Sequence, residues 1–124
     1  MFPQAVDVDW EKEGKFYTVD FEINTVDKEA WFDNDCKWRM TESDVLYANL
    51  PQIIKTAVEN SNYSAWRIED IDYIERVDHA SFYVIEIEQG EKERLLFYDA
   101  FGKLLKDTTD RDESYKNLNK TLNF

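Results

Sequence analysis

Histidine and cysteine are nearly absent from this chain: His79 and Cys36 are the only ones in 124 residues. A lone cysteine makes no intramolecular disulfide and leaves the redox compartment open, and one histidine beside one cysteine excludes a Cys/His zinc site. Glycine and proline are scarce too, at 3 and 2, and with 15% aromatic residues this argues for a folded chain despite 34% charged residues. Cations are outnumbered, 15 Lys and Arg against 27 Asp and Glu, for a net charge of −12. That balance repels phosphate backbones and anionic lipid headgroups, so nucleic acid and membrane surfaces are poor partners. No apolar run reaches the length of a membrane-crossing helix, and MFPQAVDVDW lacks the basic-then-apolar order of an export signal. Taken as complete, the chain reads as cytoplasmic. Phe2 and Pro3 running straight into a strand pattern fit a trimmed, exported chain equally well. There is no Gly-rich phosphate loop, nucleophile elbow or Cys/His pair, and Ser81 two residues from His79 makes no triad, so no catalytic residue is assigned.

What the chain does have is a repeat. Phe16–Lys37 (FYTVDFEINTVDKEAWFDNDCK) and Phe82–Lys103 (FYVIEIEQGEKERLLFYDAFGK) align without a gap at an offset of 66. Phe16/Phe82, Tyr17/Tyr83, Glu22/Glu88, Asp33/Asp99 and Lys37/Lys103 are identical pairs. Val6, Val8 and Trp10 alternate with acids, which predicts a first strand near 5–12. Because 66 is even, Tyr17, Val19 and Phe21 share an orientation with Tyr83, Ile85 and Ile87. Turns at Asn24–Asp27 and Gly90–Glu91 lead to third strands at Glu29–Asp33 and Arg94–Asp99, and fourth strands follow at Lys37–Glu42 and Lys103–Lys106. Between the copies, Leu50–Ser61 predicts a short helix with Pro51 at its first position. Its apolar face, Ile53, Ile54, Ala57 and Val58, is expected on the sheet, over Tyr17, Val19, Phe21, Tyr83, Ile85 and Ile87. The parity of apolar residues shifts between Ile68 and Ile71, which predicts a bulge. The units run 1–46, without a leading helix, and 47–106, with the helix at about 50–61, in one compact structure. The tail 107–124 reads as a solvated segment or as a weak helix through Tyr115, Leu118 and Leu122.

The opposite sheet face supplies the candidate binding residues. Phe16, Asp20 and Glu22 from one copy and Phe82, Glu86 and Glu88 from the other project there, with Trp31 and Phe97 available from the third strands. Aromatic anchors ringed by charge suit a protein partner, and the acidic balance makes that partner a basic protein or peptide. A solvated face with cross-strand aromatic pairs is the alternative. Asp33, Asn34 and Asp35, with Asp99 in the matching turn, offer hard ligands of the kind Ca²⁺ takes, although Asp and Asn more commonly serve simply as turn formers. No other cofactor is suggested.

The order helix, four antiparallel strands and an aromatic–Asp–x–x–Gly–Lys turn, in tandem with a Leu-Pro-initiated helix between, resembles the PepSY-like family of beta-lactamase-inhibitor-like proteins of Bacteroidetes. Phe32–Trp38, Leu50-Pro51 and Tyr98–Lys103 carry the resemblance, over roughly Phe2 to Lys106. It implies an α+β fold in which tandem (α)ββββ units form one antiparallel sheet of about eight strands with helix on one face. It also implies a periplasmic or secreted, non-enzymatic binding module, inhibitor-like by analogy with the family's name. Cys36 departs from the pattern, standing where a turn glycine is expected. The alternatives are an acidic immunity-type protein neutralising a basic toxin in the cytoplasm, and a calcium-responsive periplasmic protein using the Asp33 and Asp99 turns.

Overall fold

The computed structural model describes residues 6–13, 16–24 and 26–109. Eight strands, β1 (Val6–Glu13), β2 (Phe16–Ile23), β3 (Val26–Phe32), β4 (Trp38–Asp44), β5 (Arg67–Arg76), β6 (His79–Gln89), β7 (Lys92–Asp99) and β8 (Leu104–Thr108), lie side by side in chain order. Every neighbouring pair is antiparallel. Among the described residues the result is an α+β fold of one sheet and one α-helix. Short turns join the strands except between β4 and β5, where a 3₁₀ turn (Tyr47–Asn49) and helix α1 (Gln52–Glu59) intervene. The predicted tail helix lies mostly outside the described residues.

Helix α1 forms where Pro51 pre-sets an extended entry and its carbonyl accepts the amides of Ile54 and Lys55 at 3.0 and 3.1 Å. Pro51 is thus the N-cap, one residue earlier than the first helical position expected of it. Asn60 ends the helix, and the Ser61 hydroxyl donates to the Val58 carbonyl at 2.6 Å. Ile54 and Val58, one turn apart, are buried against Ile71 of β5, Ile85 and Ile87 of β6, and Leu96 and Tyr98 of β7. Full burial of one such side chain contributes about 1.5–3 kcal/mol.

Lateral register fixes the faces. Phe21, Lys28, Ser43, Tyr73, Tyr83 and Tyr98 form one row across β2 to β7, so Val19 and Phe21 share the helix-bearing face with Ile85 and Ile87. The helix nevertheless does not reach them. Eight residues span only about 12 Å, a little over two strand spacings, and Val19, Phe21, Ala30 and Phe32 form a separate cluster with Tyr17, Ile23 and Trp38 at its margin. Among the described residues no helix covers this half. Trp10, on the outer strand β1, lies 5.7 Å from the Phe32 ring and is 61% exposed. Ile53, expected to pack on the sheet, is instead 49% exposed and lies against Gly102.

The second face carries its own core. Trp31, Met40, Ile74, Phe82, Val84, Leu95 and Phe97 are buried together there, with Phe82 and Phe97 stacked at 5.7 Å. The guanidinium of Arg76 sits 4.8 Å from the Phe82 ring centre and the Lys106 ammonium 5.8 Å from that of Phe97. The predicted irregularity in β5 is a register shift between Ile68 and Asp70. Ile68 pairs with Ile87 and Asp70 with Glu86, so the extra residue at the bulge turns Ile68 to the helix-bearing face while Asp70 keeps the face of Asp72.

Candidate functional site

Carboxylates line up on the second face beside its apolar core. The ladder sets Glu22 opposite Asp27, Asp20 opposite Glu29, Glu29 opposite Glu42 and Asp44 opposite Asp72. Like charges placed directly across a ladder destabilise a sheet, by up to about 1 kcal/mol a pair, so this arrangement works against the fold. Asp20, Glu22, Asp27, Glu29, Glu42 and Asp44 line a cleft of about 380 Å³, with Lys28 the only cation on its wall among the described residues. Lys28 donates to the Ser43 hydroxyl at 2.7 Å. A second cleft of about 430 Å³ shares Asp27 and Asp44 and reaches Glu69 and Asp70.

Asp72 is the most perturbed group of this region. Burial pushes its carboxyl up to about 9, helped by the charges of Glu42 and Asp70 and by a hydrogen bond and charge from Asp44. The raised value favours the protonated carboxyl of Asp72 at neutral pH. Such a cluster attracts and orients cationic groups.

A family profile described as "Putative beta-lactamase-inhibitor-like, PepSY-like" matches residues 15–106. The chain belongs to the PepSY-like family. A BLIP-like protein of Bacteroides fragilis NCTC 9343 is 34% identical, with a TM-score of 0.81 over 90% of this chain and 81% of that one. A DUF2874 family protein of Bacteroides ovatus ATCC 8483 is 26% identical, with a TM-score of 0.83 over 92% and 84%. At 19% identity, a Bacteroides eggerthii DSM 20697 protein described as a putative periplasmic protein shows the fold alone, with a TM-score of 0.83 over 93% and 86%. No curated protein matches the chain.

Within this PepSY-like sheet the predicted binding residues part company. Trp31, Phe82 and Phe97 do lie on the second face but are only 3%, 1% and 3% exposed, so they are core rather than anchors for a partner. For Phe16 the backbone opens β2, and its side chain lies outside the described residues. Asp20 and Glu22 line the first cleft. Glu86 and Glu88 sit on β6, four strand spacings or roughly 19 Å from β2, with Glu88 3.3 Å from Arg67. Glu86 and Glu88 are thus remote from Asp20 and Glu22, although Glu86 stands opposite Asp70 of the second cleft.

The calcium candidates also separate. Asp33 Oδ1 accepts the amides of Asp35 and Lys37 at 2.9 and 3.0 Å, and Asp99 Oδ1 those of Phe101 and Lys103 at 2.9 Å each. Each carboxylate closes its own turn, and the two turns are again roughly 19 Å apart along the sheet, too far to share an ion. Cys36 and His79 are exposed. Sequence reasoning passed over Asp27, Glu29, Glu42, Asp44, Asp70 and Asp72. Their signal was the acid–x–acid spacing of Glu42–Asp44 and Asp70–Asp72, which places each pair on one face of a strand.

Proposed function

We propose that this PepSY-like chain is a non-enzymatic, extracytoplasmic, inhibitor-like binding module that presents its acid-lined clefts to a basic segment of a partner protein. The observation that carries the reading is the first cleft, with six carboxylates and one lysine on its wall. Its charges are arranged at a cost to the sheet and match a lysine- or arginine-bearing surface, which they draw in by long-range attraction. The family's description as beta-lactamase-inhibitor-like supports an inhibitory, non-catalytic role, and the periplasmic description of one fold neighbour supports the compartment. No described helix is long and apolar enough to cross a membrane. The two segments at offset 66 are read as copies of one ββββ unit, the second led by α1.

Affinity capture tests this directly. The wild-type chain and an Asp20→Asn/Glu22→Gln/Asp27→Asn variant are immobilised and offered extracytoplasmic extract, and a panel of beta-lactamases is assayed alongside. A partner held by wild type at about 0.05 M salt and released at about 0.5 M, and bound at least about tenfold more weakly by the variant, supports the reading. A partner held equally by both chains would place the contact elsewhere.

A further inference from the structure

Asp44, Asp70 and Asp72 each bring a carboxylate oxygen within 4.8 Å of the others. The ladder converges them: Asp44 pairs directly with Asp72 across β4 and β5, and Asp70, two residues before Asp72 in unbroken register, lies on the same face of β5. Acidic clusters are common on an acidic protein, but this one contains an anomaly. Asp72 is only 7% exposed, and its Oδ1 is a buried atom with no hydrogen-bond partner. Native structures rarely leave a buried acceptor in that state, and a bound ion is one standard resolution. An acceptor that no N–H or O–H reaches is satisfied equally well by a metal cation.

The donor set selects the ion. All three ligands are carboxylate oxygens, with no imidazole or thiolate among them, which favours a hard cation over zinc or copper. Oxygens bound to one Ca²⁺ at about 2.3–2.6 Å lie no more than about 5 Å apart, and the spacing here meets that limit. Asp44 and Asp70 are exposed while Asp72 is buried, so the open side has room for the waters that complete a sphere of six to eight. The larger and more flexible ion fits this half-open, irregular arrangement better than Mg²⁺, which demands near-ideal octahedral geometry.

We propose that Asp44, Asp70 and Asp72 form a Ca²⁺ site that fastens β4 to β5. These are the neighbouring strands joined through α1 rather than by a tight turn, so the ion pins the junction between the two halves of the sheet. Glu42 on β4 adds negative charge from the same face, and Glu86 on β6 stands opposite Asp70. The site uses none of the turn residues Asp33, Asn34, Asp35 or Asp99 and does not depend on the partner reading.

The test is a calcium titration of metal-stripped protein to about 10 mM at constant ionic strength, a concentration above the ~10⁻⁴–10⁻³ M range of weak extracellular sites. Melting temperature and equilibrium dialysis are read together. A rise of a few degrees, one ion per chain, and loss of both in Asp70→Asn and Asp72→Asn but not in Asp35→Asn would bear the proposal out. Asp70 is exposed, so its variant carries the test should Asp72→Asn fail to fold. No rise in the wild-type protein, or an equal rise in Asp70→Asn, would overturn the site. An equal rise with Mg²⁺ would overturn its assignment to calcium.

Discussion

The turn between β3 and β4 and the turn between β7 and β8 make the same hydrogen bonds with different residues. In the first, the Asp33 amide donates to the Lys37 carbonyl at 2.9 Å and the Cys36 amide to the Asp33 carbonyl at 3.0 Å. In the second, Asp99 donates to Lys103 at 3.0 Å and Gly102 to Asp99 at 3.1 Å. Both turns need a left-handed residue at the same place, with φ of 62° at Cys36 and 83° at Gly102. What differs is the neighbourhood. A Cβ on Gly102 would lie 3.1 Å from both Cγ1 and the carbonyl oxygen of Ile53 in α1, whereas the Cys36 side chain is exposed beside Trp10, Tyr17 and Phe32 at a small apolar recess of about 180 Å³. Glycine at this turn is thus demanded by the helix above it more than by the backbone angle. Where no helix is seen, a side chain is tolerated at some strain.

Removing the helix contact should have the largest effect. Ile54→Ala should cost about 2–5 kcal/mol in urea unfolding, and a loss under about 0.5 kcal/mol would show that α1 does not hold the second half. Exchanging the turn residues sharpens the comparison further. Gly102→Ala combines a left-handed backbone with crowding against the Ile53 carbonyl and should destabilise by about 1–3 kcal/mol. Cys36→Gly should instead stabilise by about 0.5–1 kcal/mol, because relief of left-handed strain outweighs the entropy glycine adds to the unfolded chain. Equal losses in both variants would mean that the helix makes no difference. The third test reads the seam between the halves. Asp72 has its folded pKa raised to about 9 from 3.8, so the native state holds a proton that the unfolded state releases. Its contribution to stability is complete below about pH 4 and is lost as pH climbs toward 9. In calcium-free buffer wild type should weaken with rising pH at up to about 1.4 kcal/mol per unit from this group. Asp72→Asn should flatten that slope, and an unchanged slope would show that Asp72 is ionised in the folded chain.

Alternation of apolar and polar residues made the strands readable in advance, and the constant offset made the two turns recognisable as equivalents before any coordinates. The bulge was legible because the Ile68-to-Ile71 spacing breaks the period of two. Which face was buried was harder to read. In β6 both Phe82/Val84 and Ile85/Ile87 are apolar, and parity says only that they point apart. The open, aromatic-anchored face expected from the sequence is therefore a second core, and Phe82 belongs to it. Ile53 was misplaced for a related reason: a helix this short presents too narrow a stripe to bury four side chains. The Asp44, Asp70 and Asp72 cluster could not be read at all without the β4–β5 register. Asp70 and Asp72 share a face by spacing alone, but that Asp44 lies opposite Asp72 depends on a pairing across the α1 connection that spacing does not report.

Strand β1 has a further consequence. Among the described residues it is the outer strand beside β2, with backbone donors and acceptors along its other side and Val8 and Trp10, 51% and 61% exposed, to make a neighbour stick. Left unguarded, such an edge is a template on which a second molecule extends the sheet. Asp9 and Glu11 alternate with those apolar residues, so two copies meeting antiparallel along this edge must bring carboxylates together. The acidity of this edge therefore opposes antiparallel self-pairing, and acid or concentrated salt weakens that opposition.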